Sequence, residues 1–128
     1  MQNSEYISAF LKFLRESKTD YQIASDQELY ANSETQDILH RMELGNDSYH
    51  DMAKMAKRLK QVRQERREAK DIKEVTKPIL EWIQEYEKVI RTLELILGDV
   101  RKAEERVKNR HYIEKTGVLK EIFEEESH

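Results

Sequence analysis

Hydrophobic side chains recur along this chain at alternating steps of three and four, and the densest run lies between Pro78 and Arg110. Ile79, Ile83, Tyr86, Ile90, Leu93, Leu97 and Val100 form one row, a spacing that lines one face of a helix. Trp82, Val89, Leu93, Ile96, Val100, Ala103 and Val107 form a second row beside it. Two adjacent rows make a stripe wider than one neighbour requires, so this helix is expected to touch at least two others.

The same phasing appears earlier. Ile7, Phe10, Leu14, Tyr21, Ala24, Ala31, Ile38 and Met42 fall on one heptad register, with Ser17, Glu28 and Thr35 at the remaining positions. The pattern predicts one long helix over 5–44, capped by Ser4 with Glu5 in its first turn. Ser17 and Asp20 offer a capping box that would restart the helix there. Gly45-Asn46 reads as a left-handed stop, and Asp47 or Ser48 as the next cap. A turn this short makes the flanking helices antiparallel. The second helix is expected over 49–74, with Met52, Met55, Leu59, Val62 and Ala69 as its apolar row and Arg66 interrupting it. Proline removes a backbone donor and disfavours helix at the residue before it, so Pro78 is read as opening a third helix over 78–110, capped by Thr76 or Lys77, with a kinked continuous helix as the lesser alternative. Gly98 inside that helix either permits a close approach or is tolerated at about 1 kcal/mol. Val118, Leu119, Ile122 and Phe123 suggest a short docking helix over 118–123.

The expected fold is therefore all-α, a single domain over 1–128. It is an antiparallel, coiled-coil-like bundle of three long helices plus a short C-terminal helix. The helices are unequal and leave part of the first and third stripes uncovered, which predicts a homodimer.

Composition narrows this further. Three glycines and one proline cannot punctuate a β-sandwich, which turns every 8–12 residues or so. Apolar residues are 38% of the chain and charged residues another 38%, suited to long helices that each bury a stripe. The absence of cysteine excludes disulfides, thiolate metal sites and cysteine nucleophiles. No run approaches the ~20 apolar residues of a membrane span, and the N-terminus lacks a signal-peptide pattern. A cytoplasmic protein with no membrane contact is expected.

Charge is unevenly placed. Residues 54–73 carry nine basic and three acidic side chains, whereas residues 1–47 carry four basic and nine acidic. Lys60, Arg63, Arg67 and Lys70 share one helical face, with Lys54, Lys57, Arg58 and Lys73 around them. Such a row either pairs with the acidic helices or meets an external ligand. A protein partner and a phosphate backbone both fit. No aromatic residue interleaves the cations, which disfavours stacking on single strands.

Other constellations are weaker. Asp37, His40 and Glu43 step by three, but a di-iron bundle needs two Glu-x-x-His elements and two further glutamates. A histidine near a helix C-terminus is favoured there by the helix dipole alone. Tyr49, Met52 and Met55 make a soft patch suited to core packing or to a partner. His50-Asp51 and Arg110-His111-Tyr112 assemble no nucleophile–base pair, and no glycine-rich loop, G-x-S-x-G or H-E-x-x-H occurs. The expectation is a protein that is no enzyme and holds no cofactor or metal.

The segments Thr35-Gln-Asp-Ile-Leu-His-Arg-Met-Glu-Leu44 and Leu59-Lys-Gln-Val-Arg-Gln-Glu-Arg-Arg-Glu-Ala-Lys-Asp71 carry a resemblance, with Leu97-Gly-Asp-Val-Arg-Lys-Ala-Glu-Glu105 and Asn109-Arg-His-Tyr112. Together they resemble uncharacterised small helical proteins encoded by bacteriophages and prophages of Gram-positive bacteria. The resemblance implies a setting, the host bacterial cytoplasm, and a regulator or inhibitor of a host or phage protein. It transfers no site residue. The functional expectation is a helical protein–protein interaction module, with a DNA- or RNA-binding accessory protein as the alternative. Both use Lys60, Arg63, Arg67 and Lys70.

Overall fold

The computed structural model of the protein describes residues 2–110 and Ile122. It contains α1 (Asn3–Leu44, 42 residues), α2 (Tyr49–Glu85, 37 residues) and α3 (Glu87–Lys108, 22 residues), with no strand among the described residues. The helix expected over 118–123 lies outside the described residues but for Ile122, which is exposed.

α1 is continuous through Ser17-Asp20. Ser17 caps nothing; its hydroxyl donates to the Phe13 carbonyl at 2.9 Å, a bond made inside a running helix. Nor does Ser4 cap the start. Gln2 occupies that position without a side-chain bond, and Ser4 is buried, donating to Glu104 Oε2 on α3 at 3.1 Å. A tertiary contact has taken the hydroxyl that local spacing assigns to a cap.

The turn at 45–48 reverses the chain, and its chemistry differs from a left-handed stop. Gly45 has φ −80° and ψ 160°, and no described residue has positive φ. Glycine is needed there for room. A Cβ would lie 2.5 Å from the Arg41 carbonyl oxygen and 2.8 Å from Asp47 Oδ2. Arg41 grips Asp47 through two hydrogen bonds, of 3.2 and 2.8 Å, and Ser48 accepts from the Asp51 backbone N–H.

α1 and α2 then run antiparallel along a shared seam. Leu14, Ser17, Ala24 and Ala31 are buried from one side and Val62, Ala69 and Thr76 from the other. These are mostly small residues, and Val62 is the largest fully buried side chain, which favours close helix spacing. At the N-terminal end the burial moves from the expected Phe10 to Leu11, because α3 also packs there.

The second break is not at Pro78. α2 continues unbroken through it to Glu85. Pro78 faces solvent, so the carbonyl left without its N–H partner is open to water. Thr76, close to it on the buried side, bonds the Ile72 carbonyl at 2.8 Å and packs on α1. The inward row keeps its phase across the proline: Ala69, Lys73, Thr76, Leu80 and Ile83 are all buried or half-buried.

The chain bends eight residues later, at Tyr86, whose ψ of 31° departs from helical geometry. Here the inward pattern changes. Ile90 and Leu97 keep the phase of Ile83, but Leu93 and Val100 turn inward beside them in place of Glu94 and Arg101, which continue the row of Lys73 and Leu80 and are exposed. α3 does not fold back along α2, so the expected three antiparallel helices become a hairpin with an extension. Glu104, near the end of α3, meets Ser4 at the start of α1. At Gly98 no atom lies within 4 Å of where a Cβ would stand, so this glycine serves no close approach.

Candidate interaction surface

α2 presents three differently charged faces, set by helical position. Along the seam, Arg66 and Lys73 replace apolar residues and reach across to α1. Arg66 Nε donates to Asn32 Oδ1 at 2.6 Å. Lys73 Nζ donates to Glu28 Oε2 at 3.0 Å and lies 5.7 Å from the centre of the Tyr21 ring, a cation–π contact. Beside the seam, Arg58 forms a bidentate pair with Glu34 at 2.6 and 2.9 Å. These bonds hold the Glu28 and Glu34 carboxyls below their ordinary range and push the Lys73 ammonium and the Arg58 guanidinium up. In each case the hydrogen bond is the leading cause. Arg58 and Lys73 thus belong to the hairpin's own glue and not to the basic row.

Lys60, Arg63, Arg67 and Lys70 stand together on one outer flank, as their spacing predicts, and all four are exposed. The row is ~15 Å long at 1.5 Å per residue. Among the described residues no acidic side chain lies within ion-pair distance of any of them. The α1 positions that fall on the same flank by register are Ser25, Leu29, Asn32 and Gln36, none of them acidic. Asp71 and Glu74, one turn beyond Arg67 and Lys70, are the nearest counter-charges along α2, and neither closes an ion pair with the row.

The opposite flank holds most of the acids of this stretch, although Arg58 also lies there, 3.6 Å from Glu65. Asp26 of α1 and Glu65 and Glu68 of α2 border an open groove with Gln27, Tyr30 and Ile72. The charge asymmetry of the sequence hides this side, although the spacing of Glu65 and Glu68 already turns them away from the cations.

The remaining candidates disperse. Asp37, His40 and Glu43 are exposed, and no group of three or more His, Asp or Glu able to hold a metal occurs among the described residues. Met52 and Met55 are half-buried in the seam, while Tyr49 is 91% exposed at the hairpin tip. His50 and Asp51 are exposed; His111 and Tyr112 lie outside the described residues. A cleft of about 240 Å³ lies between Leu11, Leu14, Ile83 and Ile90, rimmed by charges of both signs. It is smaller than the ~300–1,000 Å³ of ordinary ligand sites. No described helix is long and apolar enough to cross a membrane. Comparison of the chain with protein families, curated proteins and solved structures finds no match.

Proposed function

We propose that this chain is a non-enzymatic protein–protein interaction module. Its rigid helical hairpin presents Lys60, Arg63, Arg67 and Lys70 to an acidic surface on another protein. One observation carries this reading: the cations facing α1 are each bonded to it, whereas the four on the outer flank are exposed and none closes an ion pair with a described residue. An acidic partner surface would gain on-rate and orientation from such a row more than raw affinity. The hairpin's packing belongs to the same proposal. Its heptad seam is of antiparallel coiled-coil type, stiff enough to hold the row straight. The resemblance to small phage proteins would make the partner a host or phage protein regulated in the bacterial cytoplasm.

Binding of DNA or RNA through the same row is the second reading, favoured by its exposure and linear spacing. The acids of the opposite flank weigh against it, because a duplex offers one sign of charge over a broad surface. Two measurements separate the readings. Arg63→Glu/Arg67→Glu should abolish capture of the protein partner while leaving the helical signal intact. Labelled duplex and single-stranded oligonucleotides should show no binding at low salt. Tight oligonucleotide binding that weakens steeply with salt and vanishes in the double variant would replace the first reading with the second.

A further inference from the structure

α3 touches one neighbour and carries apolar side chains for two. From Trp82 to Val107 eight successive positions at steps of four and three are apolar, and none of them is buried. Ile90 and Leu97, on the adjoining row, face α1 instead. Leu93 and Val100 are half-covered by α1, while Trp82, Val89, Ile96 and Val107 are exposed. One end of the row is fixed by stacking. Phe10 packs edge-on against Trp82 at 6.2 Å, and Trp82 lies tilted on Tyr86 at 5.2 Å.

We infer that this row is covered by the same row of a second copy of the chain, running antiparallel about a two-fold axis near residues 94 and 95. Three features select this occupant. The first is size. In an antiparallel heptad pairing that uses all eight positions, Trp82 meets the partner's Val107 and Tyr86 meets the partner's Ala103. Val89 then meets the partner's Val100, and Leu93 the partner's Ile96. Each large aromatic faces a small residue, as interdigitating layers require. A parallel pairing would set Trp82 on the partner's Trp82 and Tyr86 on the partner's Tyr86.

The second feature is charge on the open flank of the row, where antiparallel helices exchange contacts between like heptad positions. There Glu85 falls opposite the partner's Arg106, and Thr92 opposite the partner's Asp99. Symmetry doubles each contact, and no like charges meet. Sliding the helices by one heptad, so that Leu93 faces the partner's Val89, would set Glu85 against the partner's Asp99. The register that matches sizes also matches charges.

The third is area. The row is ~38 Å long and about 10 Å wide, or about 400 Å² in plan per copy. The exposed half of Phe10 adds about 100 Å² to each. The pair then reaches the ~1,000 Å² expected of a specific interface. An apolar strip of this size matches the ~300–600 Å² of the largest, often functional, patch on a monomer.

The test uses the full chain. Light scattering coupled to size exclusion should give twice the 15.4 kDa chain mass. Ile96→Glu at the centre of the row, 43% exposed and so dispensable to the protomer fold, should raise the dimer dissociation constant on the order of a hundredfold with helicity unchanged. Val89→Lys, at a still more exposed position, should do the same should the first variant lose helicity. Glu85→Arg and Arg106→Glu should each weaken the dimer several-fold, and the two together should restore it. The chain has no native cysteine, so a spin label at Lys108→Cys reports orientation directly. The label pair should be ~40 Å apart when antiparallel, since residue 108 then faces residue 81 of the other copy. A monomeric mass up to the solubility limit, an unchanged dimer in both row variants, a close label pair, or no rescue by the double charge swap would overturn the inference. None of these readouts involves the basic row of α2, so failure here leaves the proposed function standing, and the reverse.

Discussion

Replacing Leu97 by alanine should release α3 while the hairpin stays folded. Leu97 is the one buried residue of α3, 8% exposed, with Ile90, Leu93 and Val100 half-buried around it. Burying a leucine fully contributes about 2.5 kcal/mol, and three half-buried neighbours contribute about 1 kcal/mol each, so gross docking is about 5–6 kcal/mol. Leu→Ala substitutions in cores cost roughly 2.7–5.0 kcal/mol. The lower end applies here, because α3 is short and free to settle into the space. A loss of about 2.7 kcal/mol is about half of the docking term, and corresponds to roughly a hundredfold increase in the open population. Hydrogen exchange, read residue by residue at one fixed protein concentration, is the direct assay. Amides of residues 90–104 should lose about a hundredfold in protection, and those around Val62 and Ala69 should change little. Equal loss across both regions would refute the reasoning, since it would mean that α3 and the hairpin unfold as one unit. So would no loss at all, since α3 would then be held by something other than this contact.

Three further outcomes are expected. Pro78→Ala should stabilise the protein by about 2 kcal/mol in urea denaturation, because it restores a helical N–H at an interior position and gives back part of the gain as chain entropy. Gly98→Ala should add about 1 kcal/mol by the same measurement, since a methyl group there meets open space. Acid should destabilise the fold. The Glu28 and Glu34 carboxyls are lowered from 4.5, so their contribution is present above pH 4.5 and is lost as pH falls through their folded values. Lys73 is raised from 10.5, so its contribution is present below pH 10.5 and is lost as pH climbs beyond its folded value. The urea midpoint should therefore be flat between those limits and drop outside them, with a shallower acid limb in Glu28→Gln.

The seam of the hairpin was legible because periodicity encodes it directly. Every position from Leu14 to Met42 on the α1 register turned inward, polar ones included, and Met52, Met55, Leu59 and Val62 did so on α2. The flank holding Lys60, Arg63, Arg67 and Lys70 followed from spacing alone. Errors arose where a local signal competed with a tertiary one. Pro78 is a strong local breaker, yet the seven-residue phase through Ala69, Thr76 and Ile83 is uninterrupted, and burial against α1 outweighs one missing hydrogen bond. That phase was readable in the sequence. The bend at Tyr86 was marked only by the subtler change from one row to two. Leu11 lies partly off the seam and so signals an extra contact near the N-terminus, but the burial of Ser4 depends on α3, whose direction no local pattern reveals. Arg58 and Lys73 were grouped with the basic row although their positions, beside and on the seam, already pointed them at Glu34 and Glu28.

The Arg58–Glu34 pair also guards the alignment of the hairpin. Slide α2 by seven residues in one direction and Glu34 comes to face Glu65; slide it the other way and it faces Asp51. The alanines, serines and threonines of the seam discriminate little against such slippage on their own, since small side chains fit almost anywhere along it. One glutamate therefore penalises both neighbouring alignments at once.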